Sequence, residues 1–216
     1  MDWLFELIGV HVTDPEDLVA IRKRALAISA GGAEGAAAYL TVCRELGEAA
    51  DDAAGLISVL RVLEPSTLRQ AQGEGAGEAS QGEGGSAGAD VVVALGRLVI
   101  WAAAVVRVEF ESRPDAVAAR TALGARADAD YGAIAAAFGA DVLEWISGLV
   151  GEAIRQVSAL AADLSPVVRV ETNLSLPASV LAWDLYGDPR RGAELVRRNN
   201  VATAMLMPVA FEALSS

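Results

Sequence analysis

Few side chains in this sequence are equipped for chemistry, and their spacing argues against a catalytic set. The 216 residues include one histidine, His11, and one cysteine, Cys43. Ser-His-Asp or Cys-His catalysis would have to run through His11. That residue stands in Gly9-Val10-His11-Val12 with no motif around it, and it reads as a satisfied structural histidine. A disulfide needs a second cysteine. Structural zinc needs four ligands, which His11 and Cys43 cannot supply. The acid pairs Asp51/Asp52 and Asp128/Asp130 read as solvated faces of acidic helices rather than as an acid–base couple. Glycine is plentiful, yet the phosphate-binding pattern GxxxxGK[ST] and the spacing of a calcium loop are both missing. The expectation is a protein that is not an enzyme, with no cofactor and no metal.

One cluster stands out by charge. Arg190, Arg191, Arg197 and Arg198 crowd a short stretch of a chain whose net charge is -12. On a helix, positions 190, 194, 197 and 198 share a face, which would project three arginines and Glu194 together. Three chemistries fit: a solvated face with an internal Glu–Arg pair, contact with an acidic protein neighbour, and contact with phosphate. The acidity of the whole chain disfavours nucleic acid as a general partner.

The elements that would position these residues are predominantly helical. The chain is 53% hydrophobic but only 5% aromatic, with alanine leading, a composition that builds helices. Asp14, Pro15 and Asp17 form a helix start, and Leu18, Ile21, Ala25 and Ile28 follow at helical spacing until Gly31-Gly32. A second helical region covers about Ala33 to Leu63, broken near Gly47 or Gly55. Together, residues 1–70 read as an amino-terminal helical region. Residues 71–89 (AQGEGAGEASQGEGGSAGA) have nothing apolar to bury and read as a flexible linker.

Residues 90–165 read as a helical body. Asp90 precedes an apolar helix from Val91 to about Val108. Arg97 near its middle and Arg107 at its end argue for a buried helix over a membrane span. Ser112-Arg113-Pro114-Asp115 starts an alanine-rich helix ending near Asp128. A further helix runs from about Tyr131 to Leu164, with Val142, Trp145, Ile146, Leu149, Val150, Val157 and Leu160 as its core stripe. Residues 166–216 change character. Val167 to Glu171 reads as a strand or extended arm. Two short helices follow, one ending at Tyr186 with Gly187 beyond it, the other capped by Asp188. In the tail, Leu206, Phe211 and Leu214 are expected to pack, with no strong helical period. The start of the chain, Met1 to Glu6, carries two acids and no basic region, so no export signal is expected.

Residues 176–199 (LPASVLAWDLYGDPRRGAELVRRN) resemble the carboxy-terminal motif of the Mu-like phage DNA circularisation (N) protein family. That motif has LP, an apolar helix, YGD, an arginine, an acidic–apolar pair and RN. Residues 110–120 (FESRPDAVAAR) look like the same family's Y-x-S-x-x-D-A-x-x-x-R. The likeness covers roughly Val91 to Ser216. The YGD…N core is also similar to lysin-motif-like (LysM-like) modules of phage tail proteins. There, Tyr186 would pack beneath the turn, Gly187 permit the bend, Asp188 cap the next helix and Asn199 tie down the following loop. The sequence departs from the family after Asn199-Asn200, where His-Pro is absent, and at Met207-Pro208-Val209, which lacks a glycine. The family's large amino-terminal domain is expected to be absent from this chain or carried on another.

The resemblance implies a mainly α protein: a helical bundle with a short strand and a small LysM-like carboxy-terminal module. It implies a structural part of a phage tail, at the baseplate or tube–baseplate junction, docking on hub, tube or baseplate-ring proteins. Symmetric copies within the virion, assembled in the host cytoplasm, are expected. DNA-end binding and peptidoglycan binding are the alternative functions that the likeness brings with it.

Overall fold

Asp14 starts the first well-defined helix boundary: its carboxylate accepts the backbone N–H groups of Glu16 at 2.8 Å and Asp17 at 3.2 Å, and Pro15 opens the helix. A computed structural model describes residues 2–28, 32–62 and 83–215. Its elements, in order, are α1 (Asp2–His11), α2 (Pro15–Ala27), α3 (Gly32–Ala49), α4 (Ala53–Val62), α5 (Glu83–Val105), α6 (Arg113–Phe138) and α7 (Ala140–Asp163). There follow β1 (Val167–Glu171), α8 (Ala178–Tyr186), a 3-10 turn (Pro189–Arg191), α9 (Gly192–Arg198) and β2 (Ala210–Leu214). The protein is mainly α, with one two-stranded sheet among the described residues. Two units divide the chain: Met1–Glu109 with Ala118–Ser158, and Phe110–Val117 with Ala159–Ser216.

The first unit is organised around α5, which packs on α3 and α4. Leu98, Ile100, Ala104 and Val105 are sealed from water, as are Val42, Cys43 and Leu46 of α3 and Leu56 and Leu60 of α4. The helices α3 and α5 cross closely because Gly47 has no side chain: a Cβ there would stand 2.6 Å from the Ile100 carbonyl oxygen. From α6, Leu123, Ala127 and Ile134 are buried, and from α7 Ile146, Val150 and Val157. The stretch Gly88–Val105 is long and apolar enough to cross a membrane, and 61% of it is buried within the fold. Arg97, in its middle, is also buried. It donates at 2.8 Å to Asp130 Oδ2, which Arg126 reaches from its own helix at 3.0 Å. A buried charge is tolerable only with such partners.

The second unit contains a β-α-α-β module. Its strands are antiparallel, with Val168 opposite Ala213, Arg169 opposite Glu212 and Val170 opposite Phe211. Between them, α8 and α9 pack on each other through Ala178, Leu181, Ala182 and Leu195, and Met207, Phe211 and Ala213 complete a small apolar core. Beyond the strands, residues 172–178 and 204–209 run side by side. Thr172 N–H donates to Val209 O, Met207 N–H to Leu176 O and Ala178 N–H to Ala204 O.

Several boundaries fall elsewhere than the sequence suggests. The break after α3 lies at residues 50–52 rather than at Gly47 or Gly55, because Asp52 caps α4 through the Gly55 N–H at 2.8 Å. Residues 83–89, read as linker, are the first turns of α5, where small residues extend a helix anchored by the apolar run behind them. Residues 71–82 of that linker lie outside the described residues. No break separates Asp128 from Tyr131: α6 runs on to Phe138, held by buried Asp130, and the turn comes at Gly139 with φ 85°. The tail, read as aperiodic, forms β2. Met207 fills the core position expected of Leu206, and Leu206 is exposed. Trp145 and Leu160, placed in the core stripe of α7, are also nearly half exposed.

Candidate functional site

The module is pinned by four residues at the ends of its helices. Tyr186 closes α8, and Gly187 adopts φ 70°, a left-handed conformation that lets its N–H return to the Trp183 carbonyl at 2.8 Å. Asp188 then accepts the Arg190 N–H at 2.9 Å and, with Pro189, starts the 3-10 turn. Asn199 ends α9. Its amide nitrogen donates to Leu195 O at 2.9 Å and Glu212 O at 2.8 Å, and its oxygen accepts the Glu212 N–H at 2.7 Å. The Tyr186 hydroxyl accepts the Leu214 N–H at 3.0 Å. Burial raises the Tyr186 phenol above its ordinary range, and the Leu214 N–H acts in the other direction. Thus the edge of β2 that faces away from β1 is held by helix side chains at Glu212 and Leu214.

The arginine cluster is divided. Arg191 stacks over the Tyr186 ring, 3.6 Å from its centroid, and grips Glu194 with two hydrogen bonds of 2.9 and 3.3 Å. The Glu194 contact raises its affinity for its proton further. Arg197 and Arg198 both turn to Glu111, at 2.6 and 3.7 Å. Arg190 is exposed and has no ion pair among the described residues. Residues 189–191 turn with a 3-10 rather than an α period, so the spacing that put 190 on one face with 194, 197 and 198 holds only from Gly192 onward. Glu111 stands 86 positions from Arg197. No local pattern pointed to it.

The unit also leaves apolar side chains in water, beside exposed charged ones such as Arg169, Glu171 and Arg197. Leu174, Trp183, Met205 and Leu206 are each 60% exposed or more. Apolar side chains left in water singly are ordinary, and the first unit exposes Val10, Val19, Leu26 and Val62 to a similar degree. Of the four on the second unit, only Leu206 was assigned a place from sequence, and that place was the core. Beside β2 lies a polar cleft of about 390 Å³, lined by Arg169, Arg198 and Glu212 among its charged residues.

The other chemistry-bearing residues sit in the first unit and have structural tasks. Cys43 is sealed in the core, and burial pushes its thiol up to about 12. The His11 carbonyl accepts the Asp51 N–H at 3.0 Å, while its ring Nε2 is buried without a hydrogen-bond partner among the described residues. The histidine expected to be satisfied thus has one ring nitrogen, Nε2, without such a partner. Asp51 takes the N–H and hydroxyl of Thr13, which hold its carboxyl below the usual range. Among the described residues, no group of three His, Cys, Asp or Glu side chains could hold a metal ion.

Neither protein-family models nor curated proteins match the chain. Fold and site together define a class: a helical protein carrying a compact β-α-α-β module with apolar side chains in water.

Proposed function

We propose that the chain is a structural component of a phage tail, at the baseplate or tube–baseplate junction, working by protein–protein docking. The observation that carries this reading is the β-α-α-β module pinned by Tyr186, Gly187, Asp188 and Asn199. These are the residues on which the resemblance to Mu-like circularisation proteins and LysM-like tail modules rests. On this reading the module is LysM-like and serves as an adaptor. Its exposed Leu174, Trp183, Met205 and Leu206 meet a hub, tube or baseplate-ring protein, and the helical first unit is the body it is attached to. The chain acts in symmetric copies, in the virion, without catalysis, cofactor or membrane insertion.

The division of the arginines supports protein over DNA. Arg191, Arg197 and Arg198 are already engaged by Glu194 and Glu111, which leaves Arg190 as the freest phosphate contact of the four. Binding driven by phosphate contacts needs several such cations at once. The test is genetic. A prophage encoding the protein without residues 166–216 should yield particles with incomplete tails, visible by negative-stain electron microscopy. Complete, infectious tails from that strain would overturn the proposal.

A further inference from the structure

The sheet of the second unit has one edge closed and one open. On β2, the backbone groups of Glu212 bond to Asn199 and the N–H of Leu214 to Tyr186, so these positions point away from β1. Backbone direction alternates along a strand, so Phe211 and Ala213 must face β1, where they oppose Val170 and Val168. Thr172 N–H and Pro166 O also turn towards β2, which fixes the same parity on β1. The N–H and C=O groups of Val167, Arg169 and Glu171 therefore point outward, and none has a hydrogen-bond partner among the described residues.

An open edge is a template for another strand. Its side chains specify which one. Arg169 and Glu171 lie on the same face, are both exposed, and stand 3.4 Å apart along the strand. Charges often blunt an edge, but an opposite pair spaced by two residues is self-complementary when the strand meets its own copy antiparallel. We infer that β1 pairs with β1 of a second copy across a two-fold axis at Val170, joining two sheets into one four-stranded antiparallel sheet. In that register each Arg169 lies directly opposite the other copy's Glu171, twice by symmetry. The outward backbone groups of both residues are then paired. On the other face Val170 meets its own copy, and Val168, now 40% exposed, gains the copy's Thr172 as cross-strand neighbour.

A register about Arg169 would add hydrogen bonds at the strand ends but place two guanidinium groups directly opposite. A parallel pairing in register would put Arg against Arg and Glu against Glu. Charge selects the antiparallel register about Val170. The pairing is a property of the isolated chain and stands apart from any role in a virion. One short edge makes a small interface, so the dimer is weak and concentration-dependent.

Sedimentation of the full chain up to about 1 mM should show a monomer–dimer equilibrium. Arg169→Glu and Glu171→Arg, each of which turns two attractive pairs repulsive, should each weaken it by about tenfold or more. The double variant, which exchanges the charges, should restore it. That rescue separates an interface from a folding defect, and circular dichroism of each variant should match the parent. Val170→Cys should cross-link to its own copy under mild oxidation, whereas Arg169→Cys should not. A chain that stays monomeric throughout, a dimer indifferent to the single reversals, or cross-linking at 169 in place of 170 would each overturn the inference.

Discussion

Asn199 offers a sharp test of how the module is held. Its side chain makes three hydrogen bonds of 2.7 to 2.9 Å, to Leu195 O and to both backbone groups of Glu212. Each such bond contributes about 1 kcal/mol net, and water can replace part of the loss at exposed Glu212. Asn199→Ala should therefore cost about 2 kcal/mol, a fall in Tm of roughly 10 °C for a unit of this size. Asn199→Asp is nearly isosteric and should be worse at pH 7, because a carboxylate then faces the Leu195 and Glu212 carbonyl oxygens with nothing to donate. Those oxygens raise the new carboxyl's pKa in the folded state above its unfolded value. The Asp variant therefore gains stability relative to the parent as pH falls towards about 4, where protonation restores a donor. Urea unfolding at pH 7 and pH 4, with hydrogen exchange at the Glu212 amide, measures all of this. If Asn199→Ala unfolds within about 0.5 kcal/mol of the parent, or the Asp variant shows no pH trend, Asn199 is not the rivet of β2.

Three further outcomes follow from the first unit. Gly47→Ala should destabilise by at least 2 kcal/mol or so, because its Cβ meets the Ile100 carbonyl and Ala103; Gly148→Ala, in open space within α7, should stabilise by about 0.5–1 kcal/mol, both read by chemical denaturation. Asp130→Ala should cost about 3–5 kcal/mol by leaving Arg97 without its carboxylate, while the apolar pair Arg97→Met with Asp130→Leu should recover much of it. Asp51 has a depressed folded pKa, so its contribution is present above the usual carboxylate range and lost as pH falls through the folded value; the stability difference between the parent and Thr13→Val should accordingly shrink on acidification, in thermal melts from pH 7 to pH 3.

The helices were legible where a cap and a period coincided, as at Asp14-Pro15, whereas Asp188-Pro189 is a cap that opens a 3-10 turn ahead of the helix. They were misread where tertiary contacts overrode local signals. Asp128 and Asp130 look like a helix end, yet Asp130 is buried against Arg97, 33 positions away. β2 was invisible because Pro208 and mixed polarity obscure its alternation, and its register comes from Asn199 and Tyr186 rather than from its own residues. The motif residues were found from sequence. Their partners, and the fate of the arginines, depended on Glu111, Glu212 and Leu214, which no spacing rule reaches.

If the chain is a built-in part of a phage tail, as proposed, it must be present in the assembled particle. Quantitative mass spectrometry of purified tails, from a strain that expresses the protein at native level, tests it most directly. Peptides from both units are expected, in a fixed ratio to the baseplate proteins that survives a high-salt wash. Tails that carry no such peptides, while the protein is abundant in the lysate, would contradict it.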